Sequence, residues 1–357
     1  MSRPFRGALL LDALLVFVPI ATLLELIPSS ATARFVCACL AIVPLAGKIG
    51  QATDALAARA GAGVGGLLNA TFGNAAELIL AILGLRHGLF DVVKASLTGS
   101  IIGNLLFIVG LAAVVGGARR ERQRFNPTAA GAGSAMLFLS VVSLGVPDLF
   151  HHLHPETSHA ALVTLSVAIA IVLIVTYALG LLFSLRTHAH LYALEKAVES
   201  EAVTLSTRRA ILTLAIAAAI TGWLAEIAVR SVEEASHALG LRDSFVGVVI
   251  LALVGNAAEH SSAVLMAHRD SMDVALNIAV ESSKQVALFV TPLLVLVSFV
   301  IAPQPMTLEF APFEVAAVGI SVAITALISL DGQTNWLEGV QLLAVYVILA
   351  AAFFFGA

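Results

Sequence analysis

Charge is what this chain has least of. Aspartate, glutamate, lysine and arginine make up 12% of its 357 residues, whereas hydrophobic residues make up 59% and the mean hydropathy is +0.99. A domain dissolved in water carries about twice that charged fraction, so the solvent of this chain is a bilayer. A basic surplus is also missing: 19 Lys and Arg against 23 Asp and Glu leave a net charge of −4, which argues against nucleic acid as a partner. Cysteine is almost absent. Cys37 and Cys39 lie two apart in an apolar run, a spacing that suits neither a helical disulfide nor a zinc site, and they read as small packing residues.

What the chain has instead is long apolar runs. About 20 such residues cross a bilayer, and eleven segments qualify: 7–28, 32–50, 64–85, 90–117, 129–147, 159–185, 209–229, 244–267, 272–300, 310–329 and 338–356. The first follows Arg3 and Arg6 but is longer than a signal-peptide core and holds Glu25, so it is expected to be a retained helix. The segment 186–208 shows helical spacing of leucines and glutamates and reads as a surface helix between two halves. With the N-terminus inside, thirteen Lys and Arg fall on the inner side, Arg119, Arg120, Arg122 and Arg124 among them. Five (Arg34, Arg86, Lys94, Arg230 and Arg242) fall outside. That bias puts the N-terminus in the cytoplasm. GAGVGG (61–66) formally fits a dinucleotide fingerprint, but no strand precedes it, and it reads as a hinge.

Sliding the chain on itself by 182 residues aligns Gly73-Asn74-Ala75-Ala76-Glu77 with Gly255-Asn256-Ala257-Ala258-Glu259, and Ser100 with Ser282. Between 64–109 and 246–291 there are 15 identities in 46 positions. Glu77 falls in the third span and Glu259 in the eighth. An odd interval of five reverses direction across the membrane, so the two copies form an inverted repeat, the build of many secondary transporters. The organisation expected is all-α and integral to the membrane, with about eleven transmembrane helices. An extra N-terminal helix (1–30) precedes two inverted five-helix repeats (31–186 and 209–357), joined by a cytoplasmic linker helix (187–208).

The repeated pentad carries the chemistry. Glycine weakens a helix interior and asparagine bonds to nearby backbone, so Gly73-Asn74 and Gly255-Asn256 are expected to break their spans. Each asparagine would then cap a new half-helix, with its glutamate in the first turn. Broken backbone at membrane depth is tolerated where it lines a cavity or an ion site. An ionised carboxylate at the bilayer centre costs roughly 2.5–3.5 kcal/mol and calls for a partner. Two carboxylates among amide and backbone oxygens make a hard site suited to Ca²⁺; without a cation, burial and mutual repulsion favour their protonated forms. Glu77 and Glu259 are therefore the expected binding residues for a metal cation and protons in turn.

LLNATFGNAAELILAILGLRHG (67–88), ASLTGSIIGNLLFIVG (95–110), GNAAEHSSAV (255–264) and SSKQVALFV (282–290) resemble the Ca²⁺/H⁺ exchangers, the CAX branch of the calcium/cation antiporter superfamily. The resemblance covers both repeats and fits the eleven-span count. It implies an antiporter of the bacterial inner (plasma) membrane that exports Ca²⁺ against proton influx by alternating access, with no enzymatic activity and no cofactor, Ca²⁺ being the transported ion. It implies that Glu77 and Glu259 bind Ca²⁺ and carry protons, flanked by Asn74 and Asn256, with Ser100, Asn104, Ser282, Ser283 and Gln285 as supporting polar residues. Where the family has Gly-Ser-Ser, this chain reads Glu281-Ser282-Ser283 followed by Lys284. Glu281 and Lys284 lie three apart on one helical face, and are expected to form an internal ion pair that tunes the proton side of the cycle. Competing readings are coupling to Na⁺ or K⁺, an intramembrane acid-pair enzyme, for which no GxGD-type motif is present, and a channel. A homo-oligomer is left open.

Overall fold

The computed structural model describes residues 11–192 and 205–356. They form helices and one two-stranded ribbon, Gln123–Arg124 antiparallel to Gln333–Thr334. A short helix α1 (Phe17–Leu26) comes first. Then follow α2 (Ala31–Ala60), the broken pair α3 (Ala62–Phe72) and α4 (Ala75–Arg86), α5 (Phe90–Gly117), α6 (Pro127–Leu153) and α7 (His159–Thr187). The second half repeats that order: α8 (Thr207–Leu239), the broken pair α9 (Asp243–Gly255) and α10 (Ala257–His268), α11 (Met272–Ile301), α12 (Pro312–Ile328) and α13 (Trp336–Phe355).

Length and composition alone single out seven of these as able to cross a membrane (α2, α5, α6, α7, α8, α11 and α13). The α9–α10 pair, bent by 64°, makes an eighth. The other expected spans differ: α1 continues without a break from a 3₁₀ turn at Leu14–Val16 and helical residues 11–13, α12 has 17 residues, and the third expected span is divided into α3 and α4. Two long helices run well past the apolar stretches assigned to them. α2 reaches Ala60 and α8 reaches Leu239, because their polar last turns continue the helix beyond the hydrophobic part. The expected hinge at 61–66 shrinks to Gly61, whose φ of +80° is open to glycine; the chain is helical from Ala62. Most of the expected linker helix, residues 193–204, lies outside the described residues. On its near side Ala189–Tyr192 form a single 3₁₀ turn.

Helix starts follow ordinary capping chemistry. The side chains of Ser30, Asn126, Ser158, Ser206 and Asn335 each accept a backbone N–H of the first turn. The apolar core falls into two clusters. One joins α1, α2 and α8 through residues such as Phe35, Ile42, Leu224 and Ile227, with Leu80 of α4 and Leu251 of α9 packed on them. The other is the larger bundle formed by α5 to α7 and α10 to α13 around Leu105, Leu106, Leu144, Leu288 and Leu294. On one side Glu25 ties Arg34 and Arg230 at 3.7 and 3.3 Å, and His87 meets Glu226 at 2.9 Å.

Positions 182 apart behave differently at the two ends of the bundle. α9 lies directly on α5: a Cβ at Gly99 would stand 2.1 Å from the Val248 carbonyl oxygen, and one at Gly247 2.6 Å from the Ala95 Cβ. At the equivalent place α3 and α11 stand apart. A cavity of about 340 Å³ lies between them, lined by Gly66 and Asn69 on one side and Asn277 and Glu281 on the other.

Candidate functional site

Both chain breaks fall at the repeated asparagines. Asn74 (φ −97°, ψ 29°) and Asn256 (φ −90°, ψ 4°) precede α4 and α10 in the N-cap position. Neither side chain caps its helix, which corrects the expectation from sequence. The amides are drawn away by stronger calls on them. Asn74 Nδ2 donates to Gln285 Oε1 at 2.7 Å and its Oδ1 accepts from Ser282 Oγ at 3.4 Å. Asn256 Nδ2 donates to Ser100 Oγ and to the Ala252 carbonyl, both at 2.9 Å, while its Oδ1 accepts from Asn104 Nδ2 at 3.4 Å. Asn104 Nδ2 also donates to Ser282 Oγ at 3.0 Å, so the network runs unbroken from one break to the other. All its members are buried. In apolar surroundings a satisfied network of this kind fixes a unique arrangement, and a half-satisfied one is costly.

Two glycines are needed for close approach, not for their backbone angles. A Cβ at Gly73 would stand 2.5 Å from the Asn69 carbonyl oxygen; one at Gly255 would stand 2.7 Å from Glu77 Cγ. Gly255 thus leaves room for the Glu77 side chain, four residues before Glu259. Glu259 is the charged group facing Glu77, and Glu259 itself faces Ser282 and Asp54. Glu77 is buried with Oε1 unpartnered, and Glu259 Oε2 is buried without a partner as well. Glu259, unlike Glu77, lines a cavity of about 780 Å³ together with Asp54, Asn69, Gly73, Glu281 and Gln285. Two such oxygens, on side chains 182 residues apart in sequence, suit a hard cation or protons; either offsets the cost of burying a carboxylate with nothing to bond.

The structure therefore brings together Glu77, Glu259, Asn74, Asn256, Gly73, Gly255, Ser100, Asn104, Ser282 and Gln285. Ser283 is not among them: its hydroxyl donates to the Ala279 carbonyl of its own helix at 2.8 Å. Lys284 Nζ and Glu281 Oε1 are 2.5 Å apart, so the expected ion pair exists. Two residues were missed from sequence. His260 Nε2 lies 3.0 Å from Asn104 Oδ1 and ends the amide network; its position next to Glu259 was the available signal. Asp54 lies on the part of α2 beyond the apolar run, where no motif marks it.

The helices carrying these groups contain π turns, Gly103–Ile108 in α5, Val246–Leu251 in α9 and Val286–Val290 in α11. A π turn frees a carbonyl and is frequent at functional sites. Here Thr325 Oγ1 donates to the Leu105 carbonyl at 3.2 Å, and Thr291 Oγ1 to the Val286 carbonyl at 2.8 Å. If the network holds the two breaks in place, Asn256→Ala strands Ser100, while Asn104 keeps Ser282 and His260. The loss expected is about 1–3 kcal/mol, the cost of one buried polar group left unsatisfied. Thermal unfolding of the purified variant measures it, and an unchanged midpoint would contradict the role given to the network.

Apolar helices broken at paired amides, with polar groups turned inward at the breaks, define an integral membrane transporter. A profile of the family described as sodium/calcium exchanger protein matches residues 30–186 and 209–355. A Ca²⁺/H⁺ antiporter of Synechocystis sp. is 44% identical, with 96% of each chain covered; the Ca²⁺/H⁺ antiporter ChaA of Bacillus subtilis is 40% identical, covering 94% of this chain and 96% of its own. The structure of native YfkE superposes with a TM-score of 0.85 at 37% identity, covering 97% of this chain and all of the other. The chain belongs to the sodium/calcium exchanger protein family, in its CAX branch.

Proposed function

We propose that this protein is a secondary active antiporter that exports Ca²⁺ from the cytoplasm in exchange for protons, with Glu77 and Glu259 holding Ca²⁺ and protons in turn. It is a carrier and not an enzyme. The observation that carries the reading is the pair of repeat-equivalent glutamates, each with a buried unpartnered oxygen, at the two chain breaks. The names of the relatives, Ca²⁺/H⁺ antiporters in Synechocystis and Bacillus, agree with it.

The reading includes the organisation expected from sequence: residues 1–30 ahead of two inverted repeats, 31–186 and 209–357, a cytoplasmic linker at 187–208, and the N-terminus in the cytoplasm of a bacterial inner membrane. In that orientation the 780 Å³ cavity opens to the cytoplasm and the Gly99–Val248 contact seals the far side. Cytoplasmic Ca²⁺ reaches Glu259 through the cavity and displaces protons from the pair. The loaded site is then exposed on the other side by closing the gap between α3 and α11 and opening the seal between α9 and α5. Protons reload the carboxylates there and return inward.

Two carboxylates exchange two protons for one divalent ion, and such a cycle moves no net charge. Each pH unit then contributes about 1.36 kcal/mol per proton. A third proton would add roughly 2.3 kcal/mol per 100 mV of membrane potential. Inside-out vesicles with an acid interior should accumulate radiolabelled Ca²⁺, and a potential imposed with valinomycin and K⁺ should leave the rate unchanged. Uptake that requires Na⁺ and ignores the pH gradient would refute the proposal.

A further inference from the structure

The second repeat departs from the first along one face of α11. Counting back 182 residues, Asn277, Glu281 and Gln285 stand where the first repeat has Ala95, Gly99 and Gly103. The three small residues lie on α5, where Ala95 and Gly99 make the seal with α9. Their counterparts are four residues apart, so they stack on one helical face over about 12 Å. Each carries a side-chain oxygen.

With Asn69 of α3, these three are the residues common to both the 340 Å³ and the 780 Å³ cavities. The column therefore stands where the two cavities meet. It ends at Gln285, whose Oε1 accepts from Asn74 in the site itself. Glu281 holds its place through Lys284. The ammonium is buried, with 7% of the side chain exposed, and Nζ lies 2.5 Å from Glu281 Oε1. The Glu281 side chain is 31% exposed, toward the cavities.

We propose that Glu281, with the side-chain oxygens of Asn69, Asn277 and Gln285, forms a second, weak cation site in the cytoplasmic vestibule. It receives a hydrated divalent cation before that ion reaches Glu259. Lys284 sets the strength of this site: its charge cancels that of the carboxylate, so the site passes the ion on and does not retain it. Three neutral amide oxygens and a neutralised carboxylate suit an ion that keeps most of its water. On this reading the pair acts on access of the cation. The inference rests on the antiport reading above.

The test is the cytoplasmic KM for Ca²⁺ of the full chain in inside-out vesicles with an imposed pH gradient. Lys284→Met unmasks the carboxylate and should lower KM about fivefold, since one added negative charge acts on a divalent ion across a few ångströms of wet cavity. Adding choline chloride to about 0.5 M should remove most of that gain through screening. Glu281→Gln alone leaves a buried ammonium and should raise KM by a similar factor; the double variant Glu281→Gln with Lys284→Met should lie near the parent. Asn277→Asp, which leaves the ion pair intact, should lower KM roughly threefold and serves if Lys284→Met does not fold. KM values for Lys284→Met and Asn277→Asp both within twofold of the parent would overturn the second site and leave the antiport reading standing. Parent vesicles that take up no Ca²⁺ under the gradient would instead sink the antiport reading, and the second site with it.

Discussion

Replacing Glu77 or Glu259 with glutamine is expected to lower Ca²⁺/H⁺ exchange by at least a hundredfold while the protein still inserts and folds. Glutamine has nearly the same shape, so Gly255 still accommodates the side chain at position 77. It cannot ionise, so it offers Ca²⁺ one charge fewer and has no proton to give back. Removing one partner from a buried charged contact costs about 3–5 kcal/mol, and each 1.4 kcal/mol is a factor of ten in an equilibrium constant. Glutamine also leaves the bonds among the neighbouring amides in place, because Asn74, Asn256 and Asn104 donate to Gln285, Ser100 and Ser282. Uptake into vesicles, normalised to the amount of monodisperse protein recovered in detergent, measures the effect. A rate near that of the parent in either variant would show that the transported ion binds elsewhere.

The second large effect concerns the contact between α5 and α9. Gly99→Val should reduce exchange more than tenfold, because the first side-chain atom would already fall 2.1 Å from the Val248 carbonyl oxygen and 2.5 Å from its Cα. Both are backbone atoms, and no rotamer change relieves the overlap. α5 and α9 must therefore separate. Overpacking of this kind costs about 1–3 kcal/mol, or more where backbone has to move. In the proposed cycle the contact between α5 and α9 must close each time the 780 Å³ cavity opens, so the cost falls on one state only. A differential of about 3 kcal/mol changes the balance of two states by more than a hundredfold. Glu281, the residue at the equivalent position of the second repeat, already carries a large side chain because a cavity stands there between α3 and α11. Gly99→Val with exchange within twofold of the parent would contradict the assignment of this contact as the closed gate.

Much of the site was readable because the repeat is a pattern in sequence. An offset of 182 found Glu77 and Glu259, their asparagines, and Ser100 with Ser282, and the structure places all six at the two breaks. The role of the asparagines was not readable. Capping is a local rule, and it holds at Ser30 and Asn126, whose side-chain oxygens are left to accept first-turn N–H groups; at Asn74 and Asn256 hydroxyls and amides from distant helices take the side chain instead. The π turns escaped for a similar reason. Val286–Val290 and Gly103–Ile108 lie in continuous apolar helices, and one extra residue in a turn leaves the composition unchanged. Asp54 was lost because hydropathy ended its helix at 50, whereas the helix continues to Ala60. The Glu281–Lys284 pair was foreseen from spacing, but its place between two cavities depends on where α3 stands, which spacing does not fix.

The central claim is that one pair of carboxylates serves Ca²⁺ and protons by competition. Proton release on Ca²⁺ binding tests it most directly. Purified protein in lightly buffered detergent solution would be titrated with Ca²⁺ across a range of starting pH, and the protons freed per bound ion would be counted with a pH-indicator dye. The account predicts a release that approaches two protons per Ca²⁺ where the pair begins fully protonated. It also predicts that Glu77→Gln and Glu259→Gln lose both the high-affinity binding and the release. Ca²⁺ that binds tightly to the parent at every pH and frees no protons would contradict the account.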